Sequence, residues 1–93
     1  MNLSQPQIIQ ISELAKLLTP IRDIASLLDV NEDMLRLELL DKRSLASKTY
    51  YKAKAEISLQ LRRQEIELAN VGSPLAVQLT ASYLINMDAD EDL

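Results

Sequence analysis

The chain has 93 residues, a formal net charge of −4 at pH 7 and neither cysteine nor histidine. A chain of this length forms one small domain and buries roughly 60–65% of its unfolded surface, so its core is thin. Since the common nucleophiles, metal ligands and near-neutral proton carriers are missing, we expect no enzymatic activity, no metal and no cofactor. The lack of cysteine excludes disulfides, and the N-terminus shows no signal-peptide pattern, so we expect a cytoplasmic protein.

The charged residues are unevenly distributed along the chain. Residues 1–41 carry three basic and seven acidic side chains, residues 42–63 seven basic and one acidic, and residues 64–93 six acidic and none basic. Local positive charge governs phosphate binding, because affinity follows the counterions that are released at the contact. The basic middle segment therefore makes double-stranded DNA a candidate partner in spite of the acidic total.

Periodic apolar residues predict three helices in segment 1–41, which we interpret as a helix-turn-helix unit. The first covers about residues 6–18, and Thr19 is expected to cap the second, with Pro20 at its first position. A tight turn follows, and Asn31 is expected to cap the third helix. Two short helices joined by such a turn are typical of helix-turn-helix proteins, which bind duplex DNA.

The second half of the chain predicts a helical hairpin. The polar segment 42–46 is expected to be a hinge, and Ser47 to cap a long fourth helix. In the segment Gly72-Ser73-Pro74 that follows, the glycine is expected to end the fourth helix, the serine to cap the fifth, and the proline to be the first residue of the fifth. The fifth helix should fold back, so that 47–87 forms a hairpin for oligomerisation, and the acidic end 88–93 is expected to be frayed. The sequence therefore predicts an all-α protein.

The predicted hairpin carries more apolar surface than it can cover by itself. Its long helix has apolar residues on two nearly opposite faces, and residues 68–87 contain no charged side chain. The break at Gly72-Ser73-Pro74 leaves a segment shorter than the ~20 apolar residues that a bilayer requires, so we expect no membrane partner. Self-association into a homo-oligomer is the better explanation. The residues expected at the contacts between subunits are Leu61, Leu68, Leu75, Leu79 and Tyr83.

The distinctive pattern is a helix-turn-helix followed by a long helix that ends in Gly-Ser-Pro before an apolar helix. Its residues are Thr19-Pro20, Asp23-Ile24-Ala25, Leu28, Val30-Asn31-Glu32-Asp33, Leu35, the segment 50–56, Arg63-Gln64, Glu67-Leu68-Ala69 and Gly72-Ser73-Pro74. Over about residues 10–87 this pattern resembles that of small terminase subunits of tailed bacteriophages. The resemblance implies a non-catalytic DNA-recognition subunit that assembles as a ring and hands viral DNA to a large subunit with ATPase and nuclease activity.

The resemblance also suggests which residues contact DNA. Arg36 would contact base edges or phosphates, and the contacts to the DNA backbone would be made by Lys42, Arg43, Lys48 and Lys52. The predicted recognition helix departs from the pattern, because its exposed positions hold three acids and one base. Two alternatives therefore remain open. One is a small helix-turn-helix transcriptional regulator, which is normally a dimer, and the other is a purely structural or adaptor protein whose helices only assemble.

Overall fold

The computed structural model describes residues 1–91, except for the side chains of residues 83, 84 and 86–91. This part of the chain is all-helical and contains no strand, which confirms the predicted all-α class. It forms two compact units, which we call the first unit (residues 1–57) and the second unit (from Ser58 onward). The helices in the described range are α1 Gln5–Lys16, α2 Ile21–Leu28, α3 Glu32–Leu40, α4 Leu45–Asn70 and α5 Pro74–Glu91.

The junction between α1 and α2 differs from the prediction. Leu18 has a φ of 59°, so α1 ends at Lys16, and the Thr19 N–H donates to the Leu14 carbonyl oxygen at 3.1 Å. Pro20 itself is the N-cap of α2, with an extended ψ of 150° and no side-chain hydrogen bond. The expectation that Thr19 caps α2 is wrong, because Thr19 belongs to the turn that closes α1.

The first unit has a helix-turn-helix built by α2 and α3. Asp29 forms the turn in the left-handed conformation, with φ 57° and ψ 47°. Asn31 caps α3 as predicted, because its side-chain oxygen accepts the Met34 N–H at 3.0 Å. The buried core of this unit draws on all of its helices and comprises Ile8, Ile11, Ala15, Ile24, Ala25, Leu28, Leu35, Leu39, Ala46, Tyr50 and Ala53.

Two serine hydroxyls join the end of α3 to the start of α4. Ser44 Oγ donates to the Glu38 carbonyl oxygen at 3.0 Å and accepts the Ser47 N–H at 3.0 Å. Ser47 is 1% exposed, and its Oγ donates to the Leu39 carbonyl oxygen at 2.8 Å. Both carbonyls belong to the last turn of α3, where helix carbonyls lack partners within their own helix. Ser44 therefore caps α4, which begins at Leu45 inside the segment predicted as a hinge, and the prediction that Ser47 is the cap is wrong.

In the second unit, the turn between α4 and α5 follows the predicted pattern. Gly72 has a φ of 92°, and the Ser73 N–H donates to the Leu68 carbonyl oxygen at 3.1 Å. Ser73 Oγ accepts the Ala76 N–H at 3.4 Å, and Pro74 is the first residue of α5. The predicted end of α4 and the predicted start of α5 are therefore confirmed, and α5 folds back on α4 as a hairpin.

α5 extends into the segment that was expected to be frayed. The helix is described as far as Glu91, so residues 88–91 of the acidic end lie within it. Residues 92 and 93 lie outside the described part of the chain.

The link between α3 and α4 can be tested by removing one hydroxyl. We expect Ser47→Ala to lower the free energy of unfolding by about 1–3 kcal/mol, because the buried Leu39 carbonyl loses its donor. Ser26→Ala removes an exposed hydroxyl of α2 and should change stability by less than about 0.5 kcal/mol. Urea unfolding followed by circular dichroism compares the two variants, and equal stabilities would contradict the proposed link.

Candidate nucleic-acid interface

Arg36, the residue predicted to reach base edges, lies on an acidic helix. Its Nε is 3.7 Å from Glu32 Oε2, one helical turn away on α3, and about half of its side chain is exposed. Asp33 is also exposed on this helix. An arginine that is paired with an acid of its own helix offers less positive charge to a phosphate. α3 is therefore a poor source of phosphate contacts.

Arg43 lies between α3 and α4 and is bound to Asp41. Its backbone N–H donates to Asp41 Oδ1 at 3.1 Å, and its Nε does so at 3.4 Å. The backbone hydrogen bond is the main cause that lowers the pKa of the Asp41 carboxyl below its usual 3.8, and the guanidinium adds to it. Because the carboxylate stays ionised at neutral pH, it offsets part of the charge of Arg43. The interaction between Asp41 and Arg43 therefore stabilises the turn at pH values above the usual pKa of an aspartate. The stabilisation is lost as the pH falls through the lowered pKa of Asp41, because the carboxyl is then protonated.

Lys42 and Lys48 come together at an open cleft of about 340 Å³, which we call the lysine cleft. Its other lining residues are Ser47 and Tyr51. Lys42 precedes α4, whereas Lys48 and Tyr51 lie one turn apart on α4 and so share a face of this helix. In the described part of the chain neither lysine has an ion-pair partner. The cleft therefore combines two ammonium groups with an aromatic ring.

Lys52 extends this basic surface by one further turn of α4. It is exposed and lies four residues after Lys48. Glu56, the next residue at this spacing, has its Oε2 3.5 Å from Lys16 Nζ of α1. Within the described residues, Lys52 is thus left without an acidic partner. Of the predicted DNA-binding residues, the two arginines are paired with neighbouring acids, whereas the three lysines have no acidic partner among the described side chains.

Tyr51 is a cleft residue that the charge pattern alone does not identify. The residue is 47% exposed, and its ring contacts the ring of Tyr50 edge to face, with centroids 5.1 Å apart and an interplanar angle of 83°. Tyr50 is 7% exposed and belongs to the core of the first unit. A tyrosine three residues after a lysine in a basic helix was the only sequence signal, and its contact with a buried ring required the structure.

The second unit leaves most of its apolar side chains exposed. Among the side chains that the structure describes here, Ala76 alone is buried. A hairpin with so few buried residues gains little from the hydrophobic effect by itself. We call its exposed apolar residues the hairpin surface, which comprises Leu59, Leu61, Ile66, Leu68, Val71, Leu75, Val77 and Ile85.

Three of the five predicted subunit-contact residues belong to the hairpin surface. Leu61, Leu68 and Leu75 are exposed, and Leu75 is the most exposed of the three. Leu79 is half-buried. Tyr83 lies on α5, but its side chain is outside the described residues.

Comparison with known proteins gives no family for this chain. No family model, no curated protein and no solved structure matches it. None of the described helices is long and apolar enough to cross a membrane. The described residues also contain no group of three or more acidic side chains placed to hold a metal ion.

Proposed function

We propose that this chain is a non-catalytic DNA-binding subunit that assembles as a homo-oligomeric ring, like a small terminase subunit of a bacteriophage DNA-packaging complex. One combination of features carries the proposal. The first unit bears a helix-turn-helix and a lysine cleft, and the second bears an apolar surface that the described chain does not cover. The ring would act in the cytoplasm of the host and pass viral DNA to a large subunit with ATPase and nuclease activity.

The charged side chains favour contacts to the DNA backbone over base reading. Lys42, Lys48 and Lys52 carry ammonium groups without acidic partners in the described chain, and such groups bind phosphates by displacing counterions. Arg36, the residue predicted to reach base edges, is paired with Glu32. Phosphate contacts position a protein on DNA without specifying a sequence. We therefore expect weak sequence selectivity from a single copy.

Assembly would make up for the few basic groups of each copy. A ring holds several lysine clefts at fixed spacing, so that once one is bound the next binds at a high effective concentration. The hairpin surface supplies the apolar area that such an assembly needs, since exposed patches of this kind mark protein interfaces. DNA binding and self-association thus support each other in this proposal.

The two alternatives are separable by experiment. A transcriptional regulator of this kind would be a dimer with two DNA half-sites about one helical turn apart, so the number of subunits distinguishes it from a ring. A purely structural or adaptor protein is favoured by the acidic α3, where Glu32 holds Arg36. Such a protein would oligomerise without binding duplex DNA.

The three lysines can be tested together by neutralising them. We expect the variant Lys42→Gln, Lys48→Gln, Lys52→Gln to bind duplex DNA more weakly. Its slope of log affinity against log salt should become shallower by about 2–3, since each phosphate contact contributes about 0.9 to that slope. Fluorescence anisotropy with a labelled duplex, between about 50 and 200 mM salt, measures both quantities.

A matched variant controls for total charge. Arg22→Gln, Lys54→Gln, Arg63→Gln removes the same number of positive charges from other positions, keeps the Lys16–Glu56 pair, and should leave the salt slope within about one unit of the wild type. Equal losses in the two variants would mean that only net charge matters, which would reject the lysine assignment. A wild-type chain that fails to bind duplex DNA at low salt would reject the DNA-binding function and leave the adaptor alternative.

The role of the hairpin surface is tested by placing a charge on it. We expect Leu75→Asp to dissociate the oligomer, because a buried unpaired carboxylate is costly at an apolar interface. Leu37→Asp is the matched control, since Leu37 on α3 is 67% exposed and Leu75 is 66% exposed. Light scattering coupled to size-exclusion chromatography gives the masses. The assignment fails if Leu75→Asp keeps the wild-type mass, or if the wild-type protein is itself a monomer.

A further inference from the structure

We infer that the lysine cleft binds one unpaired nucleotide of a DNA strand, with its phosphate at Lys42 and Lys48 and its base against the ring of Tyr51. The inference rests on the proposed function and adds a substrate class to it. The chain would recognise single-stranded DNA or a frayed duplex end in addition to paired DNA.

The size and charge of the cleft suit one nucleotide unit. Its volume of about 340 Å³ lies at the low end of the range for small-ligand sites, roughly 300–1,000 Å³. Lys42 and Lys48 reach it from two different segments, so they can bind two oxygens of the same phosphate. Both ammonium groups are available, because neither has an ion-pair partner in the described chain.

Ser47 forms part of the wall of the cleft and does not supply a donor for the phosphate. Its hydroxyl proton is already used in the hydrogen bond to the Leu39 carbonyl, and the residue is buried. Because a hydroxyl has a single proton to donate, the phosphate depends on the lysines. The two lysines would therefore bind the phosphate, and the ring of Tyr51 would bind the base.

The Tyr51 ring already contacts a core ring in the absence of any ligand. Its edge-to-face contact with Tyr50 joins it to a ring buried in the core, and such pairs have preferred geometries. A ring that already has such a contact loses less conformational freedom when a base stacks on it than a fully solvated ring does. Tyr51 is almost half exposed, which leaves a ring surface accessible.

Lys48 and Tyr51 are three residues apart on α4, which places the lysine and the ring close enough to contact one nucleotide. Residues three apart on a helix lie about 5–6 Å apart at their Cβ atoms, so a phosphate at Lys48 leaves the attached base within reach of Tyr51. A base-paired nucleotide cannot use this site fully, because its faces are covered by its neighbours in the duplex. Stacking on aromatic side chains is typical of proteins that bind single strands.

Two substitutions at Tyr51 test the site. We expect Tyr51→Leu to weaken binding of a labelled oligothymidine by about 5- to 150-fold, the effect of losing one stacked base. Tyr51→Phe keeps the ring and should bind within about twofold of the wild type, as stacking requires no hydroxyl. Neither variant should change the affinity for a covalently closed circular duplex, which has no ends and is added as a competitor, by more than about twofold. Fluorescence anisotropy at one fixed salt concentration gives all of these affinities.

An abasic oligonucleotide of the same length is the matched ligand, because it keeps the phosphates and lacks the bases. The wild-type protein should bind it about as weakly as Tyr51→Leu binds oligothymidine. If Tyr51→Leu binds oligothymidine as well as the wild type does, or Tyr51→Phe binds as weakly as Tyr51→Leu, the inference is overturned. These outcomes differ from failure of the proposed function, which would appear as a wild-type chain that does not bind the duplex.

Discussion

The hydrogen bonds from Ser44 and Ser47 to the last turn of α3 are the interactions on which the basic surface depends. They place the start of α4 against α3, and the neighbouring Ala46 and Tyr50 extend the core of the first unit into α4. Lys42 and Lys48 flank these serines in the sequence, so the same contacts that fix the helix also fix the two sides of the lysine cleft. The residues that hold α4 against α3 are therefore next to the residues proposed to contact DNA.

Burial of apolar side chains is divided unequally between the two units. The first unit buries aliphatic residues from all of its helices, whereas the described part of the second unit buries Ala76 alone. Isolated helices gain most of their stability from packing an apolar face against a neighbour. In the proposed function the second unit therefore depends on a partner more than the first does, and the proposed partner is a second copy of the chain, which carries the same apolar surface.

Local patterns predicted the helices better than they predicted the contacts between them. Asn31 and Gly72 were identified from sequence because a cap or a left-handed turn depends on residues close by. The roles of Thr19 and Ser47 were missed, because each is decided by a carbonyl of the preceding helix. The same reason applies to the candidate site. The charge pattern identified the basic segment and the resemblance named its lysines, while the ring of Tyr51 became evident only through its contact with a neighbour buried in the core.

The central claim is that the first unit is stable by itself and that the second is stabilised by association. Amide hydrogen exchange of the wild-type protein, measured over a range of protein concentrations, reports on both units in one sample. We expect protection in the second unit to rise with concentration, because association is a mass-action equilibrium, and protection of the first-unit core to stay constant. Equal protection of the two units at every concentration would contradict the account.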